Sequence, residues 1–178
     1  QRSPSDAGTR GWIWNCPADG GGRSMELLNP FLGHNNGQNW APSALTGGTP
    51  GRLNSGFATN VAPLILDVAH SPLVPRSTES ATVTARIVDE SISGVTVSVL
   101  WRVDANPQTS PFTSLAMLDN GTSGDGAAAD GIYGAVLPAL PNNTVVEYYV
   151  QAVDAEGRTN TWPRPAIAAA DGNGPTGQ

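Results

Sequence analysis

The stretch Val95-Thr96-Val97-Ser98-Val99-Leu100-Trp101-Arg102-Val103 decides the fold of this chain. Its odd-numbered positions are all apolar, and three of the four positions between them are Thr, Ser and Arg. Successive side chains of a β-strand point to opposite faces, so this period of two predicts a strand with one buried face. Trp101 lies on the regular apolar face and is expected in the core.

The same alternation occurs in two further runs, around Val83-Thr84-Ala85 and Tyr148-Tyr149-Val150. Weaker apolar runs, separated by turn residues, bring the predicted strands of the C-terminal part to seven: residues 64–69, 81–88, 95–103, 112–118, 131–137, 145–153 and 158–162. Short strands at this spacing are typical of an all-β sandwich. We therefore predict an immunoglobulin-like or fibronectin type III-like β-sandwich over residues 58–164.

The first 57 residues have a different composition. They hold 11 of the 21 glycines and contain neither valine nor tyrosine. Two short strands are predicted there, at 11–16 and 24–29. A loop-rich segment of this size buries little surface, so we predict an incomplete β unit that needs a partner surface. Residues 165–178 are small and turn-forming, as in a linker.

Composition excludes several functions. The net charge of −6 argues against a nucleic acid or an anionic membrane as partner. The nine basic residues are all arginine, so catalysis through a lysine Schiff base is excluded. No run of about 18 to 20 apolar residues predicts membrane insertion. His34 and His70 lie outside any nucleophile or metal-ligand motif, and we predict no enzyme and no cofactor other than a candidate Ca²⁺.

The loop at residues 119–131 places Asp119, Asn120, Asp125 and Asp130 close together among four glycines. Hard oxygen ligands on a flexible loop are what Ca²⁺ prefers, so these residues form a candidate calcium site. The order differs from an EF-hand, and no glutamate closes the loop. In the alternative interpretation, the aspartates accept turn hydrogen bonds from the backbone and fix the loop.

Tryptophans and the single cysteine give weaker candidates. Trp12 and Trp14 share one face of the predicted strand at 11–16 and, with Trp40, form a candidate platform for stacking on a sugar ring. Core packing is the alternative for all three. Cys16 has no partner in the chain, so it is a candidate for an intermolecular disulfide or a small buried apolar residue.

The N-terminal segment resembles the closing part of a bacterial lamin-tail domain over about residues 11–56. The resemblance rests on three groups of residues: Ser24, Met25, Glu26 and Leu27; Asn39, Trp40, Ala41 and Ser43; and Gly48, Thr49, Pro50, Gly51, Asn54 and Ser55. It implies an immunoglobulin-like sandwich of secreted or surface proteins. The earlier strands of such a domain have no counterpart here, so the resemblance implies either that the segment is cut from a longer protein or that another element supplies the missing strands.

Residues 61–163 resemble the immunoglobulin-like module that often follows lamin-tail domains in exported bacterial multidomain proteins. This resemblance rests on the runs at 117–121 and 130–133, on Gly124 and Asp125, and on residues 146–154 with Gly157. It implies an extracellular, non-catalytic spacer or adhesion module.

Together these observations predict a non-catalytic extracellular or cell-surface structural protein, a self-assembling or scaffold β-sandwich subunit. The expected partners are further copies or neighbouring domains of a parent protein. The alternative is a carbohydrate- or calcium-binding adhesion module excised from a larger surface protein. The start at Gln1 fits a mature product as well as part of a longer chain.

Overall fold

The computed structural model describes residue 18, residues 20–105 and 110–163, and two short strands near the C-terminus. All strand pairs among these residues are antiparallel, and one 3₁₀ helix spans Gly37–Asn39. The fold is all-β, as predicted. Contacts divide the chain after Val61, and Ala62–Pro163 forms a compact unit of its own.

Residues 20–61 of the first unit contain two strands, β1 (Met25–Leu27) and β2 (Trp40–Pro42), which pair antiparallel. Strand β1 lies inside the predicted stretch 24–29. No strand was predicted at Trp40–Pro42, because three residues are too few to show an alternation. The predicted strand at 11–16 lies outside the described residues.

The second unit contains seven strands, and each overlaps a predicted one. They are β3 (Leu64–Ser71), β4 (Ala81–Val88), β5 (Thr96–Val103), β6 (Thr113–Met117), β7 (Ile132–Leu137), β8 (Val146–Val153) and β9 (Thr159–Trp162). A three-stranded sheet has the order β3-β4-β7, and a four-stranded sheet has the order β6-β5-β8-β9. The two sheets form a sandwich, because both contribute side chains to one buried cluster.

This cluster confirms the period-two patterns. Its members come from alternating positions of both sheets: Ile65, Val83, Ala85, Ile87, Val97, Val99, Met117, Ala135, Leu137, Val150 and Ala152. Trp101 packs against the cluster but is only partly buried. Its large side chain is rarely enclosed completely, so it lies at the border of the core.

Near the C-terminus, β10 (Ile167–Ala168) pairs antiparallel with β11 (Pro175–Thr176). This pair falls in the segment that the sequence predicted to be a linker.

Candidate functional site

The acidic loop at residues 119–131 connects β6 to β7, which belong to different sheets of the sandwich. Two backbone hydrogen bonds close its base: the Leu118 N–H donates to Gly134 O and the Gly134 N–H donates to Leu118 O, each at 2.9 Å. The loop is therefore anchored at both ends where the two sheets meet.

Asp125 is the buried centre of this loop, with 2% of its surface exposed. Its Oδ2 accepts hydrogen bonds from the N–H groups of Asn120 and Gly121 at 2.6 and 2.7 Å, and its Oδ1 accepts one from Ser123 at 2.8 Å. Burial acts to raise the pKa of Asp125, but the backbone donors, that of Gly121 foremost, outweigh it and lower the pKa. The carboxylate thus stays charged and holds the first half of the loop.

The other three candidate ligands also bond to backbone. Asp119 accepts hydrogen bonds from the N–H groups of Asp130 and Gly131, and Asp130 accepts from Ala127 and Ile132. Asn120 Oδ1 accepts from the N–H groups of Thr122 and Ser123, at 2.9 and 3.0 Å. Each side chain therefore makes the backbone bonds of the alternative interpretation.

The described residues contain no cluster of three or more His, Cys, Asp or Glu side chains with the geometry of a metal site. Calcium binding by the loop stays a prediction. The side chains of the loop provide hydrogen-bond acceptors for backbone N–H groups that would otherwise need water.

Gly134 permits this packing. A Cβ atom at this position would lie 2.5 Å from Ser123 O and 3.0 Å from Asp125 N, so the loop backbone would have to move. Sequence analysis missed this residue, although an isolated glycine within a strand pattern is a signal for such a close approach.

A second group of polar side chains is buried in the first unit. The Glu26 carboxylate accepts hydrogen bonds from the Thr49 hydroxyl and, at 2.7 Å each, from the Ser55 N–H and hydroxyl. The Thr49 hydroxyl first, and Ser55 next, lower the pKa of Glu26 against the opposing effect of burial. These bonds connect β1 to two loops that are 23 and 29 residues away along the chain.

Asn39 and Asn29 form the other half of this network, and both are fully buried. Asn39 Oδ1 accepts from the Asn29 N–H at 3.0 Å, while its Nδ2 donates to Asn29 O and Gly33 O at 2.8 and 3.2 Å. Asn29 in turn donates from Nδ2 to Thr59 O at 3.4 Å. Glu26, Asn39, Thr49 and Ser55 all belong to the residues that carried the lamin-tail resemblance, whereas Asn29 was missed.

Of the tryptophan and cysteine candidates, the structure describes only Trp40. Trp12, Trp14 and Cys16 lie outside the described residues, so the sugar platform and the intermolecular disulfide stay predictions. Trp40 is partly buried and donates its indole N–H to His34 O at 2.7 Å. His70 Nδ1 lies 3.1 Å from the Tyr148 hydroxyl at the surface of the sandwich.

An open cleft of about 710 Å³ lies beside the acidic loop, within the second unit. Ile87, Val97 and Met117 form part of its wall, and Asp89, Asp119 and Asp130 also line it. Asp89 Oδ1 is buried without a hydrogen-bond donor among the described residues. Burial is the main cause that raises the pKa of Asp89, and nearby Glu90 adds to it. Sequence analysis missed this cleft because four separate chain segments form it.

Across the described residues, no helix is both long enough and apolar enough to span a bilayer. No protein-family model matches the chain, and no curated protein matches it either.

Proposed function

We propose that this chain is a non-catalytic structural protein of the extracellular space or cell surface, in which the sandwich is the rigid body and the first unit provides an assembly surface. The observation that carries the proposal is what the first unit leaves exposed. Phe31 and Leu53 are 82% and 70% exposed, and Leu45 and Met25 about half. In residues 20–61, Leu32 and Val61 are the apolar side chains that are buried.

Such a balance favours association. Isolated apolar side chains on a surface are ordinary, but a small unit that exposes more large apolar side chains than it buries gains free energy when a partner covers them. The buried network around Glu26 and Asn39 holds the backbone of this unit in place. A partner would therefore meet a fixed surface and would lose little conformational entropy on binding.

The polar candidates also support an architectural role. In the acidic loop, the candidate calcium ligands are hydrogen bonded to backbone groups of their own chain, and so are the buried Glu26 and Asn39 of the first unit. Side chains used in this way fix the conformation of loops. The extracellular location rests on the two resemblances.

The test is the mass of the full chain in solution, measured by size-exclusion chromatography with light scattering over a range of concentrations. We expect assemblies larger than the 18.3 kDa chain. The double variant Phe31→Ser/Leu53→Ser should form smaller species, because it removes the apolar contacts.

A matched control is Val136→Ser/Val145→Ser, which changes two exposed apolar residues of the sandwich. It should assemble like the unchanged chain. A monomer at every concentration would reject the proposal, and so would a control variant that lowers the mass as much as the double variant in the first unit.

A further inference from the structure

The cleft in the second unit has an apolar wall and acidic edges. Tyr133 and Met117 line it together with Ile92 and Leu118, which are about half exposed. Its volume of about 710 Å³ is in the range of clefts that hold ligands. When an apolar group fills such a cleft, apolar surface is removed from water, which is favourable.

Charge restricts the matching group to a cation. Asp89, Asp119 and Asp130 line the cleft, and none of the arginines or histidines that the structure describes lines it. The carboxylate oxygens of Asp119 and Asp130 accept backbone hydrogen bonds within the loop. Asp89 Oδ2 likewise accepts a hydrogen bond from the Ser91 N–H at 3.2 Å, but its Oδ1 is buried without a donor among the described residues. A carboxylate with such an oxygen gains from a positively charged donor.

The turn between β3 and β4 of the sandwich carries both exposed apolar side chains and a cation. Leu73 and Val74 are 80% and 86% exposed, the largest exposed fractions among the large apolar side chains of this unit. Arg76 follows two residues later and is also exposed. Glu79 in the same turn is engaged locally, since its Oε2 accepts a hydrogen bond from the Arg76 N–H at 2.9 Å.

The turn and the cleft lie at opposite ends of one strand. Strand β4 begins at Ala81, just after the turn, and ends at Val88, next to Asp89 of the cleft. Eight extended residues span roughly 26 Å, so the turn of one molecule is far from the cleft of the same molecule. A contact between them joins two copies.

We infer that the cleft of one copy binds residues 72–76 of a second copy, with Leu73 and Val74 against the apolar wall and the Arg76 guanidinium on Asp89. This inference rests on the proposed self-assembly and adds to it a second contact, between sandwiches, beside the contact through the exposed apolar side chains of the first unit. Because the two surfaces differ and lie at opposite ends of β4, the contact is head to tail, and repetition of it forms an open chain of subunits unless the rotation closes a ring.

The first experiment tests the contact without requiring assembly. The full chain is labelled with ¹³C at its methionine and valine methyl groups. An acetylated and amidated peptide of residues 71–78 is then titrated into it. We expect the methyl signals of Met117 and Val97 to shift on binding. A peptide with Leu73→Ser and Val74→Ser should bind at least roughly 100-fold more weakly, because burial of each apolar side chain contributes strongly.

Charge is tested on both sides of the contact. Asp89→Asn in the protein, or Arg76→Gln in the peptide, should weaken binding by roughly 5- to 10-fold, and the two changes together should cost little more than either alone. Asp104→Asn, an exposed aspartate of the same unit that does not line the cleft, is the matched control and should leave binding unchanged.

Three results would overturn the inference: no shift of Met117, equal binding of the Leu73→Ser/Val74→Ser peptide, or shifts of the same size from N-acetyl-arginine amide alone. The last result would make the cleft a site for small cations. Light scattering of full-length Leu73→Ser/Val74→Ser separates the two proposals. If the unchanged chain is monomeric, self-assembly is rejected; if both chains assemble equally, self-assembly stands and the head-to-tail contact is rejected.

Discussion

The sandwich at Ala62–Pro163 and the segment at residues 20–61 are stabilised by different kinds of buried side chain. Alternating apolar side chains of both sheets fill the interior of the sandwich. In the earlier segment, the side chains of Glu26, Asn29, Asn39 and Ser43 are buried and hydrogen bonded to backbone groups.

The comparison shows that an apolar interior and a hydrogen-bonded interior determine the native conformation in different ways. Apolar burial has no preferred direction, so it stabilises any arrangement that excludes water and fills space. A buried hydrogen bond requires one partner in one direction, and its loss leaves a buried polar group unsatisfied. The sandwich should therefore respond to the volume of a substituted side chain, and the first unit to its polar groups.

The largest expected effect is a cavity in the sandwich. Ile65 is 1% exposed and belongs to the apolar cluster. Ile65→Ala should lower the free energy of unfolding of the sandwich by roughly 2–5 kcal/mol. Urea denaturation and amide exchange of Val99 and Val150 measure it. Val136→Ala, on an exposed position of β7, should change it by less than about 0.5 kcal/mol; equal effects of both variants would contradict the packing argument.

The next effect distinguishes the two kinds of interior directly. Asn39→Leu keeps the approximate volume but removes three hydrogen bonds, two of which join the Asn39 side chain to the backbone of Asn29. We expect a loss of about 2–4 kcal/mol in the first unit, measured by amide exchange of Asn29 and Leu28. Asn35→Leu, at an exposed site of the same loop, is the control. A tolerated Asn39→Leu would show that volume alone matters there too.

The sequence predicted the sandwich well because its strands are long enough to repeat. Four or five alternating positions, as at residues 95–103, determine a buried face, and all seven strands appeared within two residues of their predicted bounds. Strand β2 has three residues, and its pairing with β1 depends on hydrogen bonds over 10 to 20 positions, for which a local pattern carries no signal.

The candidate site was predictable only in part. The residues of the acidic loop were identified from composition, and their turn bonds were foreseen as one interpretation. Their actual donors were not, because Asp119 reaches the N–H groups of Asp130 and Gly131, 11 and 12 residues away. The cleft was missed for the same reason. Asp89, Met117 and Tyr133 line it together only after the two sheets have packed.

A local effect is expected in the acidic loop, whose centre is the buried carboxylate of Asp125. Asp125→Ala removes the acceptor of three backbone N–H groups, so amide exchange of Asn120, Gly121 and Ser123 should become at least roughly tenfold faster. Exchange of Val99 should hardly change. The control is Asp104→Ala. If millimolar Ca²⁺ raises the melting temperature of the unchanged chain but not of the variant, the loop also binds metal.

Acid should weaken the first unit through Glu26, whose folded-state pKa is lowered from 4.5. A carboxylate with a lowered pKa stabilises the fold above its ordinary pKa, and this contribution is lost as the pH falls through the lowered value. The protection of the Ser55 amide against exchange, taken relative to the intrinsic exchange rate at each pH, should therefore fall below pH 4.5. In Glu26→Gln, that protection should be lower at pH 7 and should depend less on pH; a pH profile that the variant leaves unchanged would assign the effect to another group.

The smallest effect has the opposite sign and belongs to the sandwich. The pKa of Asp89 is raised from 3.8, chiefly by burial, so its charged form destabilises the fold. The stability that protonated Asp89 supplies is complete below the ordinary pKa and is lost as the pH rises through the raised one. At a dilution at which the chain is monomeric, Asp89→Asn should accordingly raise the melting temperature slightly at pH 7 and have less effect near pH 3.5. A destabilising Asp89→Asn at pH 7 would mean that a cation already neutralises the carboxylate in solution, as an arginine of a second copy would.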